Sequence, residues 1–151
     1  MTARKKVALV TSHGGHLAEM LALKDVFRDC EVFYITYEGT TPGNLPRAYF
    51  LKPFHNSLAG CMTVWPRVFA ILRKERPHAV FSTGAEIALP VFFIAKFFFG
   101  CKLAYLECSA QVNTPSLTGR IVYHIADLFL VQWETLLAKY GSRAQFRGGL
   151  I

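Results

Sequence analysis

The sequence has no C-x-x-C pair, no Gly-x-Gly-x-x-Gly run, no Walker lysine behind a glycine loop and no uninterrupted apolar stretch of membrane-spanning length. Each absence removes a class. The four cysteines, Cys30, Cys61, Cys101 and Cys108, are scattered, which excludes a zinc knuckle or a redox motif. They read as reduced, mostly buried thiols, and no metal is expected. The glycine spacing excludes the dinucleotide fingerprint and the P-loop, so no cofactor is expected either. A spanning helix needs about 18 to 20 apolar residues. The nearest stretch, 87–99, carries Pro90 near its start and Lys96 inside it and is closed by Gly100, so it reads as a buried or interfacial helix. No apolar leader region precedes the strand-like residues 7–10, and a cytoplasmic chain is expected.

Acidic residues are few: 10 Asp and Glu stand against 17 Lys and Arg, a formal charge of +7. A basic surface favours an anionic partner, whether nucleic acid, lipid headgroup or phosphate-bearing substrate. The 13 phenylalanines cluster in apolar runs such as 91–99 and do not alternate with Arg and Lys. That pattern is unlike a base-stacking platform, and nucleic acid is set aside.

What is present is an alternation of strand and helix signals. Residues 6–12 read as a strand apolar on both faces, as in a parallel sheet. The helical spacing of Leu17, Met20, Leu21, Val26 and Phe27 follows, leaving Glu19, Lys24 and Asp25 for the outer face. Further strands are predicted at 31–37, 48–54, 79–82, 102–107 and 127–132, the last of these closing the strand series. Helices are predicted at 57–76, 86–99 and 116–126, with a short one ending near Tyr140. Pro66 predicts a break or a fresh start in the first of these. Residues 39–47 read as a loop. With no repeat or linker, residues 1–151 form one Rossmann-like α/β domain with a mostly parallel sheet.

Ligands of such sheets bind beyond the carboxyl ends of the strands. The first such loop is Ser12-His13-Gly14-Gly15-His16. Its glycines let backbone amides approach a phosphate at a helix N-terminus, with His16 in the first turn as donor or base and Ser12 as a cap. A plain strand-to-helix turn is the alternative. Thr83 and Gly84, followed by Glu86 in a first turn, repeat the design and would double the backbone donors for a diphosphate. Glu38 ends the second strand, where an NAD-binding domain keeps its ribose acid, or is simply solvated there. Glu107 leaves a buried strand either as a general base or as a partner of a cation such as Arg120. In the loop after it, Asn113 and Thr114 are positioned to contact a substrate, and Asn113, Ser116 or Thr118 to cap the next helix.

Ser12-His13-Gly14-Gly15-His16-Leu17-Ala18-Glu19-Met20, together with Leu106-Glu107-Cys108, Pro115-Ser116-Leu117-Thr118-Gly119-Arg120, Ala126-Asp127 and Val131-Gln132-Trp133, resembles the bacterial PssD and CpsF polysaccharide proteins and the eukaryotic ALG membrane-anchoring subunit. The resemblance covers residues 7–151 and implies the N-terminal half of a MurG-like GT-B glycosyltransferase. It further implies a lipid-diphosphate saccharide acceptor, a separate UDP-sugar-binding catalytic subunit and attachment to the cytoplasmic face of a membrane. On that reading Ser12, His13, Gly14, Gly15, Thr83, Gly84, Asn113, Thr114 and Arg120 bind the acceptor, and His16 or Glu107 is the base. A scaffold that only docks its partner is the competing class, with an NAD-dependent oxidoreductase third. Gln111 stands where the family commonly has Arg. Without the ALG subunit's N-terminal helix, membrane contact is expected from residues 65–72 or 91–99, flanked by Arg67, Arg73, Lys74 and Lys96.

Overall fold

The computed structural model describes residues 2–39, 45–55 and 57–150. Residues 40–44 of the expected 39–47 loop lie outside that set. Seven strands, β1 (Lys6–Val10), β2 (Glu31–Tyr37), β3 (Ala48–Leu51), β4 (Ala79–Ser82), β5 (Lys102–Leu106), β6 (Leu128–Val131) and β7 (Ala144–Phe146), form one sheet in the order β3-β2-β1-β4-β5-β6-β7. Every pairing is parallel. The helices are α1 (Gly15–Ala22), α2 (Leu58–Glu75), α3 (Ala88–Phe99), α4 (Leu117–Val122) and α5 (Leu137–Tyr140), and a 3-10 turn over Lys24–Phe27 follows α1.

The apolar runs follow from burial on both faces. Ala8 and Val10 point into a core shared with Val68 and Leu72 of α2 and with Val91 and Phe92 of α3, while Val7 and Leu9 point into a smaller core with Met20 of α1. Over β4 to β6 this second face stays partly open, as an apolar groove lined by Phe27, Phe81, Leu106, Leu128, Leu130 and Leu150. Glu75, 3% exposed, ties the opposite end of the sheet to α2 through Lys6 at 3.1 Å and Arg47 at 2.9 Å.

Two expectations are corrected. Pro66 does not break α2, which runs unbroken over 18 residues. The proline removes one backbone bond on the exposed side, beside Met62, while the buried stripe Val64, Val68, Ile71 and Leu72 holds the helix to the sheet. Residues 127–132 are not the last strand, since β7 adds a three-residue edge beside β6.

Candidate acceptor site

The loops after β1, β4 and β5 converge at the carboxyl edge of the sheet, where β1 sits between β2 and β4 and the order in which the strands are added reverses. Gly14 precedes α1 with φ 74°, a left-handed conformation that glycine adopts without strain. A Cβ built on Gly14 or Gly15 would meet nothing within 4 Å, so the space above the start of α1 is open to a ligand. No side chain caps α1. Its first-turn N–H groups and the positive end of its dipole face that space. Ser12 is therefore not the cap: it is buried, and its hydroxyl donates to the His13 carbonyl at 3.3 Å. His13 itself is exposed beside the glycines.

His16 is half-buried and held from two sides. Its Nδ1 lies 3.0 Å from the Thr83 carbonyl oxygen, which can only accept, so Nδ1 carries a proton and, in the neutral ring, Nε2 is the nitrogen with the lone pair. Thr83, fully buried, donates its hydroxyl to the His16 carbonyl at 2.7 Å and lies 3.3 Å from the Thr11 hydroxyl. Gly84, with φ 117°, leaves room for the ring, since a Cβ there would stand 2.9 Å from His16 Cε1 and Nδ1.

These contacts change the expected role of the second loop. The Gly84 amide donates to Ser82 Oγ at 3.1 Å and is not free for a diphosphate. Thr83 and Gly84 thus position His16 and do not add a second cradle. Glu86 lies just before α3, outside its first turn, and accepts from the Tyr37 hydroxyl at 3.1 Å. Burial, and then Glu86, pushes the Tyr37 phenol well above its usual range. Glu38 is exposed and lines a separate hollow with Phe50, Lys52, Thr63, Val64 and Arg67, among which no glycine-loop residue stands.

Glu107 is fully buried. Its oxygens accept from the Cys108 amide at 3.1 Å, the Ser116 amide at 3.1 Å, the Ser116 hydroxyl at 2.8 Å and the Tyr140 hydroxyl. They face protein donors and no open space. Burial first, and then this carboxylate, holds the Tyr105 and Tyr140 phenols above their usual range. The cation expected as an alternative partner, Arg120, is exposed and forms no ion pair with Glu107 among the described residues; it lines a hollow with Pro115, His124 and Lys139. Ser116 caps α4, accepting from the Gly119 amide at 2.9 Å. Gly119 must lack a side chain, because a Cβ would lie 2.1 Å from Tyr140 Oη and 2.3 Å from Glu107 Oε2. Asn113 and Thr114 are exposed at the tip of this loop.

Two residues matter in ways that sequence reasoning missed. Glu19, expected on the outer face, is 8% exposed, and its Oε1 accepts from the Ser109 amide at 2.9 Å and from Gln132 Nε2 at 3.3 Å. Gln132, 3% exposed, also donates to the Glu107 carbonyl at 3.1 Å and accepts from the Leu150 amide at 3.0 Å. Trp133 Nε1 donates to the Ser109 carbonyl at 2.7 Å, so the Gln-Trp pair pins the loop after β5. Of the thiols, only Cys101 is buried, while Cys30, Cys61 and Cys108 are half-buried. Burial pushes the Cys108 thiol up against a backbone bond from Ala110, and the Glu19 and Glu107 carboxylates push it further.

Residues 43–150 match the family described as "Oligosaccharide biosynthesis protein Alg14 like". The UDP-N-acetylglucosamine transferase subunit ALG14 of Candida albicans is 35% identical over 96 residues, which is 59% of this chain and 43% of that protein. The chain thus spans less than half the length of that relative. Among solved structures, MurG of Acinetobacter baumannii superposes with a TM-score of 0.77 at 15% identity, over 96% of this chain and 46% of that one. The UDP-N-acetylglucosamine 2-epimerase of Rickettsia bellii reaches 0.74 at 16% identity, over 98% of this chain and 46% of its own. Both likenesses establish the fold: this single sheet has the shape of one half of a GT-B protein.

Proposed function

Because the chain belongs to the Alg14-like family of oligosaccharide biosynthesis proteins, we propose that it is the acceptor-side, membrane-recruiting subunit of a two-component glycosyltransferase. A separate catalytic subunit holds the UDP-sugar, and the acceptor is a saccharide linked to a lipid diphosphate. The observation that carries this reading is the open start of α1 with the His16 ring fixed beside it. Free N–H groups there suit the acceptor's diphosphate, and Nε2 suits removal of a proton from its hydroxyl. His13, Asn113 and Thr114, exposed on the loops after β1 and β5, and Arg120, exposed on α4, supply further polar contacts. The partner gains an apolar seat in the groove beside Leu150, at the glycine-rich end where Gly148 and Gly149 also line it.

A radiolabelled transfer assay on membranes tests the division of labour, with UDP-N-acetylglucosamine as the first donor in view of the Candida relative's name. Transfer is expected only when this chain and its catalytic partner are both present. Transfer by this chain alone would refute the split.

No helix of the described residues is long and apolar enough to cross a membrane. Attachment is instead proposed through an exposed patch on α2 and the end of α3. Leu58, Met62, Phe69, Phe97 and Phe98 are exposed there, and the Phe69 ring lies 5.6 Å from that of Phe98. The expected surface over 91–99 is narrower than the sequence indicates, since Val91, Phe92, Ile94 and Ala95 are core residues. Lys96 is also spent inward, on the Ile125 carbonyl at 2.8 Å. Arg73 and Lys74, exposed in the last turn of α2, remain for anionic headgroups. Replacing Phe97 and Phe98 together by serine is expected to weaken cosedimentation with phosphatidylglycerol vesicles at least tenfold, as the loss of two buried aromatics implies. Unchanged cosedimentation would place the contact elsewhere.

A further inference from the structure

The sequence carries no C-x-x-C pair, yet the fold gathers a ligand set. His16 and Glu19, one turn apart on α1, meet Cys108 at the end of β5, and one ligand atom from each lies within 4.8 Å of the other two. Glu19 Oε2 is buried and has no hydrogen-bond partner, although its sister oxygen has two. A buried, unpaired carboxylate oxygen is costly unless a positive group answers it. Neither the described amides nor the side chains around it do so.

We propose that His16, Glu19 and Cys108 bind a divalent cation of the zinc class. The remaining atoms of each ligand are already fixed as a metal site requires. His16 Nδ1–H is committed to the Thr83 carbonyl, which orients the ring and leaves Nε2 to coordinate. The Ser109 amide and Gln132 hold Glu19 Oε1, so Oε2 is the free donor. A nitrogen, an oxygen and a sulfur together suit zinc or cobalt, whereas magnesium and calcium favour oxygen alone. Three protein ligands leave the fourth tetrahedral position to water or an anion. On the transfer reading given above, one lone pair of His16 cannot serve both purposes, and the ion-loaded chain is the inactive form. The site itself does not depend on that reading, because its test reads binding by this chain alone.

The test is titration of the purified, metal-free chain with Co2+, followed by displacement with Zn2+. One equivalent is expected to bind with a thiolate-to-cobalt charge-transfer band in the near ultraviolet, bleached by Zn2+. Cys108→Ser is expected to abolish the band, and Glu19→Gln to weaken binding at least tenfold, while Cys30→Ser leaves both unchanged. Circular dichroism melts of each variant establish that it is folded. Absence of the band in the unaltered chain overturns the site, whatever the variants do. So does its persistence in Cys108→Ser, or equal binding of Mg2+ without the band.

Discussion

Replacing His16 by alanine is expected to slow transfer by the assembled pair about a hundred- to ten-thousandfold, the usual contribution of a positioned general base. The loss should fall on the rate constant, with pair formation unchanged. His16 is held more firmly than its own fold requires. The Thr83 carbonyl fixes which nitrogen is protonated, the Thr83 hydroxyl anchors the His16 backbone, and Gly84 gives up a side chain so that the ring can sit against it. Removing the imidazole costs the fold one partly exposed hydrogen bond, about 1 kcal/mol. A melting temperature close to that of the unaltered chain should therefore accompany the lost activity. Near-normal transfer by the variant pair would show that the loop only shapes the domain, and the docking-scaffold reading would then stand.

Glu107→Ala is expected to act on stability. The substitution strips acceptors from two amides and a half-buried phenol, those of Cys108, Ser116 and Tyr140. Each donor left unsatisfied costs about 1 to 3 kcal/mol, and a void is added. A loss of about 4 kcal/mol or more follows, enough to lower the melting temperature by roughly 10 °C in a domain of this size. Glu107→Gln separates this role from that of a base, because the amide keeps the shape and one acceptor. If Glu107 serves only to hold these donors, the folded fraction of this variant transfers sugar within a few-fold of the normal rate and melts early. A hundredfold loss with an unchanged melt would return Glu107 to the chemistry.

The order of elements was legible because parallel strands buried on both faces are continuous apolar runs, and the turns between them carry glycine or proline. What could not be read were inward polar groups. Helical spacing placed Glu19 outside because it cannot show that a loop ninety residues further on, through Ser109, brings an amide to meet it. Thr83 and Gly84 looked like a second phosphate loop, since the sequence does not reveal that Ser82 already takes the Gly84 amide. Glu107 left two roles open until the positions of Tyr140 and Ser116 were known. β7 escaped notice because Ala144, Gln145 and Phe146 are too few and too mixed to make a pattern, and only β6 beside them makes them a strand. The glycine loop and His16 were visible from the start, their chemistry being local.

The central place of β1 also bears on how the chain comes to fold. β1 pairs with β2, its near neighbour in sequence, but its other edge waits for β4, whose Ala79 lies opposite Val7. That pairing closes a long loop, the kind of event that sets the pace of folding in parallel sheets. His16 is fixed by Thr83 at the end of this same late strand. A nascent chain that has made its glycine loop but not yet residue 83 therefore holds no oriented imidazole. The orientation of this ring is set only once the two halves of the sheet have joined, so a protein that carries it in place has already completed its slowest step of assembly.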